Sequence, residues 1–145
     1  MAITASLVSE LRQKTGVGLM ECKKVLVETN GDLEKAIVKL REKGLAKAAK
    51  KSDRSTNEGK IFSNVNNRSK QAVILELNCE TDFVASNEKF SECGNILCET
   101  ILSNKLDSLE ELENSQIEGK SLKDFLANYV LTLGENISVK RFEYL

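Results

Sequence analysis

Three carboxylates lie close together at Glu76, Glu80 and Asp82. General acid–base work needs such groups within reach of one substrate, and strand alternation would place these three on one side of a strand end. Phe83 follows directly, inside the run Asn78-Cys79-Glu80-Thr81-Asp82-Phe83-Val84-Ala85-Ser86-Asn87. A patterned strand ends in this run and a patterned helix begins. Turns of this kind sit on the surface and often carry function on a rigid scaffold. Asp82-Phe83 therefore has two readings. Phe83 folds back as a lid on its own core, the commoner fate of an aromatic. Alternatively, it stands out as a probe for another protein.

Other chemistry is thinly represented. Four cysteines (Cys22, Cys79, Cys93 and Cys98) include no CxxC pair, so a zinc site would need thiolates from scattered elements; small, reduced, buried side chains are the expectation. No histidine occurs, which removes the commonest general base and the usual partner of a nucleophilic Ser or Cys. Neither the glycine-rich dinucleotide fingerprint nor a P-loop appears. Catalysis is the weaker expectation, with no cofactor and no metal.

The elements that must position these residues are legible from periodicity. Thr4 is placed to cap a helix with Leu7, Val8 and Leu11 on one face. Thr15-Gly16-Val17-Gly18 breaks it. Leu19, Cys22, Val25 and Leu26 recur at helical spacing, and Asn30-Gly31 leads to Asp32, a cap for a third helix carrying Leu33, Ala36, Ile37 and Leu40. Gly44 is expected to interrupt that helix, leaving a short fourth piece over 45–51. The polar run 52–57 reads as a domain boundary. Beyond it the period becomes strand-like, with strands at 60–65 and 71–78 around a turn at 66–69. Val73, Leu75 and Leu77 alternate with Ala72, Ile74 and Glu76, the mark of a central strand. Phe90, Cys93, Leu97 and Ile101 space out a helix. Ser108 and Glu111 have capping-box form, and Ser121 caps a helix bearing Leu122, Phe125, Leu126, Tyr129, Val130 and Leu133. Gly134 is placed to end that helix, and Ile137-Ser138-Val139 resumes a strand that Arg141 marks as bulged.

Composition sets the class. With 145 residues, 41% hydrophobic and 30% charged, the chain is long enough for one domain or two small ones. The formal net charge of −1 gives no global pull toward nucleic acid or membrane. Residues 39–54 do carry seven basic side chains against Glu42 and Asp53, yet no aromatic interleaves them for base stacking. Five acids over 106–119 read as a solvated surface. No apolar run approaches a bilayer span and no signal-peptide pattern leads the chain, so a cytoplasmic location is expected. The fold class is α+β: a three-helix layer over 1–54, then over 55–145 an antiparallel three-stranded sheet with helices on one face. An apolar final strand would leave an exposed edge unless further chain or a partner covers it.

Two long motifs resemble the bacterial elongation factor Ts family, the nucleotide exchange factors of elongation factor Tu. One is Ile3-Thr4-Ala5-Ser6-Leu7-Val8, continuing through Leu11-Arg12 to Thr15-Gly16-Val17-Gly18-Leu19-Met20-Glu21-Cys22-Lys23-Lys24. The other is Asn78-Cys79-Glu80-Thr81-Asp82-Phe83-Val84-Ala85. Gly134-Glu135-Asn136-Ile137 is a third, shorter match. The resemblance implies a ubiquitin-associated-like helical domain at the amino terminus and an incomplete core behind it, because the family has more core beyond this chain's last residue. It implies that Thr81, Asp82, Phe83 and Val84 meet elongation factor Tu, with Phe83 entering between two helices of its nucleotide-binding domain and disturbing the Mg²⁺ and phosphate contacts of GDP. By the same resemblance Val8, Arg12, Leu19, Met20 and Lys23 face another part of that domain, and Leu133-Gly134 adds a contact. A homodimer through the core is a further arrangement considered, and a helical interaction adaptor without exchange activity is the competing function.

Overall fold

A computed structural model describes residues 2–145. The chain begins with α1 (Ala5–Thr15), α2 (Leu19–Glu28) and α3 (Leu33–Lys51). Each start has a local cause. Thr4 Oγ1 accepts from the Leu7 N–H at 3.1 Å, and Asp32 Oδ1 accepts from the Lys35 N–H at 3.1 Å, satisfying donors that a helix leaves unpaired. Gly16 ends α1 in the left-handed region, where its φ of 73° suits a residue without Cβ. Val8, Leu11, Val17, Cys22, Val25, Leu26, Ala36 and Leu40 close into one buried cluster.

The expected break at Gly44 does not occur. Helix α3 runs unbroken for 19 residues, and Gly44 is buried within it. Its absent side chain serves packing: a Cβ there would come within 3.2 Å of the Ala127 carbonyl oxygen. Helix α7 (Leu122–Leu133) crosses α3 at this point. Glycine in a helix costs about 1 kcal/mol against alanine, a modest penalty beside the close approach it permits.

Strands β1 (Glu58–Asn66), β2 (Gln71–Cys79) and β3 (Ser138–Tyr144) form an antiparallel sheet with β2 central. The register pairs Phe62 with Leu75 and Leu77 with Val139. A shift opposite Glu76 and Leu77 leaves Lys140 as the extra residue, so the bulge lies beside Arg141 rather than on it. Between β2 and β3 come α4 (Asp82–Ala85), α5 (Glu88–Asn104), α6 (Leu109–Glu113) and α7. Among the described residues the architecture is thus α+β, with seven helices and three antiparallel strands.

Val73, Leu75, Leu77 and Cys79 point to the helical side of the sheet, where they meet Phe90, Cys93, Leu97 and Ile101 of α5. Burial of each large side chain contributes about 1.5–3 kcal/mol. The opposite face stays open, with Ile61, Val65 and Ile74 all exposed. Tyr144 closes the β3 end by accepting from the Gln71 amide. No helix among the described residues is long and apolar enough to cross a membrane.

Candidate functional site

The junction after β2 is held by hydrogen bonds as well as by the buried Cys79 and Val84. Thr81 caps α4, its Oγ1 accepting from the Val84 N–H at 3.4 Å. Val84 is buried in the larger cluster, whereas Phe83, one residue earlier on the same turn, is 84% exposed. The lid reading of Phe83 is therefore corrected: neighbouring positions on a helical turn diverge by about 100°, and Val84 takes the inward direction. Asp82 is exposed beside Phe83.

Glu135, in the turn between α7 and β3, reaches this junction. Its Oε1 accepts from the backbone N–H of Glu80 at 3.0 Å and of Thr81 at 2.9 Å. The Thr81 hydroxyl donates to Oε2 at 2.6 Å. The relation is reciprocal, because the Glu80 carboxylate accepts from the Asn136 N–H at 2.6 Å. The end of α3 joins the same knot. Asn136 Nδ2 donates to the carbonyls of Ser52 and Arg54, Lys51 Nζ donates to the Gly134 carbonyl, and Arg54 lies 3.5 Å from Glu80. Cys79 sits beneath, its Sγ donating to the Thr81 carbonyl at 3.2 Å. Burial first, and the Glu135 carboxylate second, push the Cys79 thiol up to about 11.

The three carboxylates read as an acid–base set do not converge. Glu76 pairs with Arg141 at 3.0 Å, Glu80 is occupied by Asn136 and Arg54, and Asp82 belongs to α4 rather than to the strand. An open cleft of about 420 Å³ between the end of α1 and helices α5 and α7 is lined by Lys14, Lys89, Glu92, Lys120 and Tyr129, and by none of those three. The four cysteines are free and buried, and no cluster suited to a metal occurs among the described residues.

The amino-terminal positions divide in the same way. Arg12 and Lys23 are exposed, Leu19 is 48% exposed and Met20 is 84% exposed. Val8 is a core residue instead, buried by the facing helices, and offers little surface to a partner. The same holds for Val84. Leu133 is half-buried against the larger cluster, while Gly134 is exposed with a left-handed φ of 78°. Sequence reasoning missed the roles of Glu135, Asn136 and Lys51. The available signals were an acid placed just after a helix-ending glycine and the short family-like match over Gly134-Glu135-Asn136-Ile137, neither of which names the partners.

These elements define an α+β chain that displays an aromatic on a short, hydrogen-bonded turn. The family model described as Elongation factor TS matches residues 80–145, a stretch that starts at this turn. Along 98% of its length the chain is 49% identical to Elongation factor Ts of Campylobacter hominis, and along 99% it is 46% identical to that of Campylobacter fetus subsp. fetus. It is homologous to the elongation factor Ts family. In both cases it spans 40% of the relative's own length.

Proposed function

We propose that this chain serves translation elongation as a guanine nucleotide exchange factor that binds elongation factor Tu carrying GDP and promotes GDP release. The observation that supports this reading is Phe83, held out at 84% exposure on a turn anchored by Val84 and Glu135. A large aromatic kept in water has lost the benefit of burial, which a partner's apolar crevice would restore. Residues 1–54 act as a ubiquitin-associated-like helical domain and residues 55–145 as the α+β core. Arg12, Leu19, Met20 and Lys23 grip the GTPase. Thr81, Asp82 and Phe83 disturb its Mg²⁺ and phosphate site, and Leu133-Gly134 adds a contact. The chain works in the cytoplasm as a binding protein, with no chemistry, cofactor or nucleic acid of its own.

Magnitudes require both surfaces. A thousandfold acceleration of release takes about 4 kcal/mol off the barrier. Burying one phenylalanine supplies about 1.5–3 kcal/mol, so Phe83 alone falls short. By linkage, whatever factor the chain takes from GDP affinity, GDP takes from the chain's affinity. The test is release of fluorescent GDP from purified elongation factor Tu with and without this chain. Acceleration that saturates with chain concentration is expected. Binding without acceleration would replace exchange by the adaptor reading, in which the amino-terminal helices capture a partner and Phe83 stays idle.

A further inference from the structure

We propose that Glu135 is the positioning residue that sets the attitude of the Phe83 turn, an inference that rests on the exchange reading given above. Phe83 cannot orient itself, because at 84% exposure it has almost no packing of its own. Helix α4 cannot orient it either, being only four residues long and below the length at which a helix holds its shape unaided. Val84 and the partly buried Ala85 anchor one side of the turn in the core. A turn pinned on one side can still tilt about it. The second anchor is Thr81, and every polar hydrogen of Thr81 goes to Glu135: the backbone N–H at 2.9 Å and the hydroxyl at 2.6 Å. Hydrogen bonds to an ionised carboxylate are roughly twice as strong as neutral ones.

The hydroxyl bond has a second effect. Thr81 Oγ1 must accept from the Val84 N–H to cap α4. A hydroxyl free to rotate presents its hydrogen or its lone pair in turn, whereas one directed into Glu135 Oε2 keeps a lone pair toward Val84. Glu135 thus fixes the rotor on which the cap depends. It is itself held: Gly134 turns through a φ of 78°, and Asn136 is bonded to Glu80, Ser52 and Arg54. The brace runs from the end of α3 through the α7–β3 turn to the base of Phe83.

The chain has no tryptophan, so Phe83→Trp introduces a lone indole at the tip. In that background, time-resolved anisotropy of the free chain reads the freedom of the turn without any partner. Glu135→Ala is expected to add a fast depolarising motion. Glu135→Gln keeps an oxygen for the two backbone N–H groups but turns a donor toward the Thr81 hydroxyl, and is expected to restore the parent decay only in part. With Phe83 in place, Glu135→Ala is expected to lower the maximal rate of GDP release about tenfold while changing the half-saturating concentration by less than about twofold, since the amino-terminal contacts are untouched. Should the alanine variant fail to fold by circular dichroism, Thr81→Val removes the hydroxyl, and with it both the bond to Glu135 and the cap on the Val84 N–H, and is expected to loosen the indole while the two backbone bonds to Glu135 remain. An unchanged indole decay in the folded variant would overturn the proposal. So would a loss confined to half-saturation, or a glutamine variant as impaired as alanine. If the parent chain accelerates nothing, the exchange reading fails, and the anisotropy comparison still decides whether Glu135 orients the turn.

Discussion

Phe83 gains nothing from its place in the free chain, which makes its removal a clean experiment. Phe83→Ala leaves every buried contact intact, so stability should stay within about 0.5 kcal/mol of the parent, the range for exposed substitutions. Stimulated GDP release should slow by about 10- to 100-fold, the equivalent of about 1.5–3 kcal/mol of lost burial. Circular dichroism melts and release kinetics check the two halves. The cysteines allow a second test. Burial pushes Cys79 and Cys98 up to about 11 from an ordinary value of 9.0, and raises Cys22 and Cys93 as well. At neutral pH all four should resist a disulfide reagent in the native chain and react promptly in denaturant, because the thiolate is the nucleophile. The sign of the pH effect follows. Below about pH 9 the thiols are protonated in both states; between about 9 and 11 the unfolded chain has released protons that the folded chain retains. The urea midpoint should therefore fall across that window. Sequence could nominate Phe83 as important but could not choose between lid and probe, since that depended on which of two adjacent residues faced inward. Glu135 was less legible still: its partners lie 54 and 55 positions away, and a hydrogen bond at that distance leaves no periodic trace.

Elements were read well wherever their signals were local. Thr4, Asp32, Ser108 and Ser121 each cap the helix that pattern assigned to them, because a cap is written within four residues of the group it satisfies. The α3 break was misread because Gly44 acts through Ala127, which lies on another helix. Gly94 repeats the lesson in α5. A Cβ at that position would stand 2.3 Å from the Phe62 ring, which is itself buried and packed 6.0 Å from the Phe90 ring centroid. Gly94→Ala gains about 1 kcal/mol in helix propensity, yet overpacking a filled core costs about 1–3 kcal/mol. The expected result is a net loss, read as a lower urea midpoint with unchanged slope. A midpoint above the parent's would mean that Phe62 can move aside cheaply.

At the scale of the molecule, two apolar clusters are joined by the α3–α7 crossing. Ala48 of α3 packs on the larger cluster and Leu131 of α7 on the smaller, so each helix belongs in part to its neighbour's core. The hydrogen bonds from Lys51 to the Gly134 carbonyl and from the Asn136 amide to the Ser52 and Arg54 carbonyls close the same seam. Both tyrosines, Tyr129 and Tyr144, pack against the larger cluster, whereas helical circular dichroism reports on both. Urea unfolding followed by the two signals should give coincident transitions in the parent chain. Gly44→Leu, which forces the helices apart, should separate them. Coincident curves in that variant would show that the crossing does not join the two clusters. The polar run over 52–57 looked like a boundary because composition changes there. Its backbone carbonyls proved to be part of the seam, a fact that residue type alone does not carry.

The unbroken course of α3 also has a metrical consequence. Nineteen residues of continuous helix span about 28 Å, with one end set among the amino-terminal helices and the other tied into the base of the Phe83 turn. A glycine hinge at its middle would have let the two ends flex independently and fit partners of many sizes. A stiff arm makes the chain a calliper instead. On the exchange reading proposed above, such an arm would favour a partner whose two docking surfaces lie at one spacing, and a nucleotide-dependent change in that spacing would change the grip.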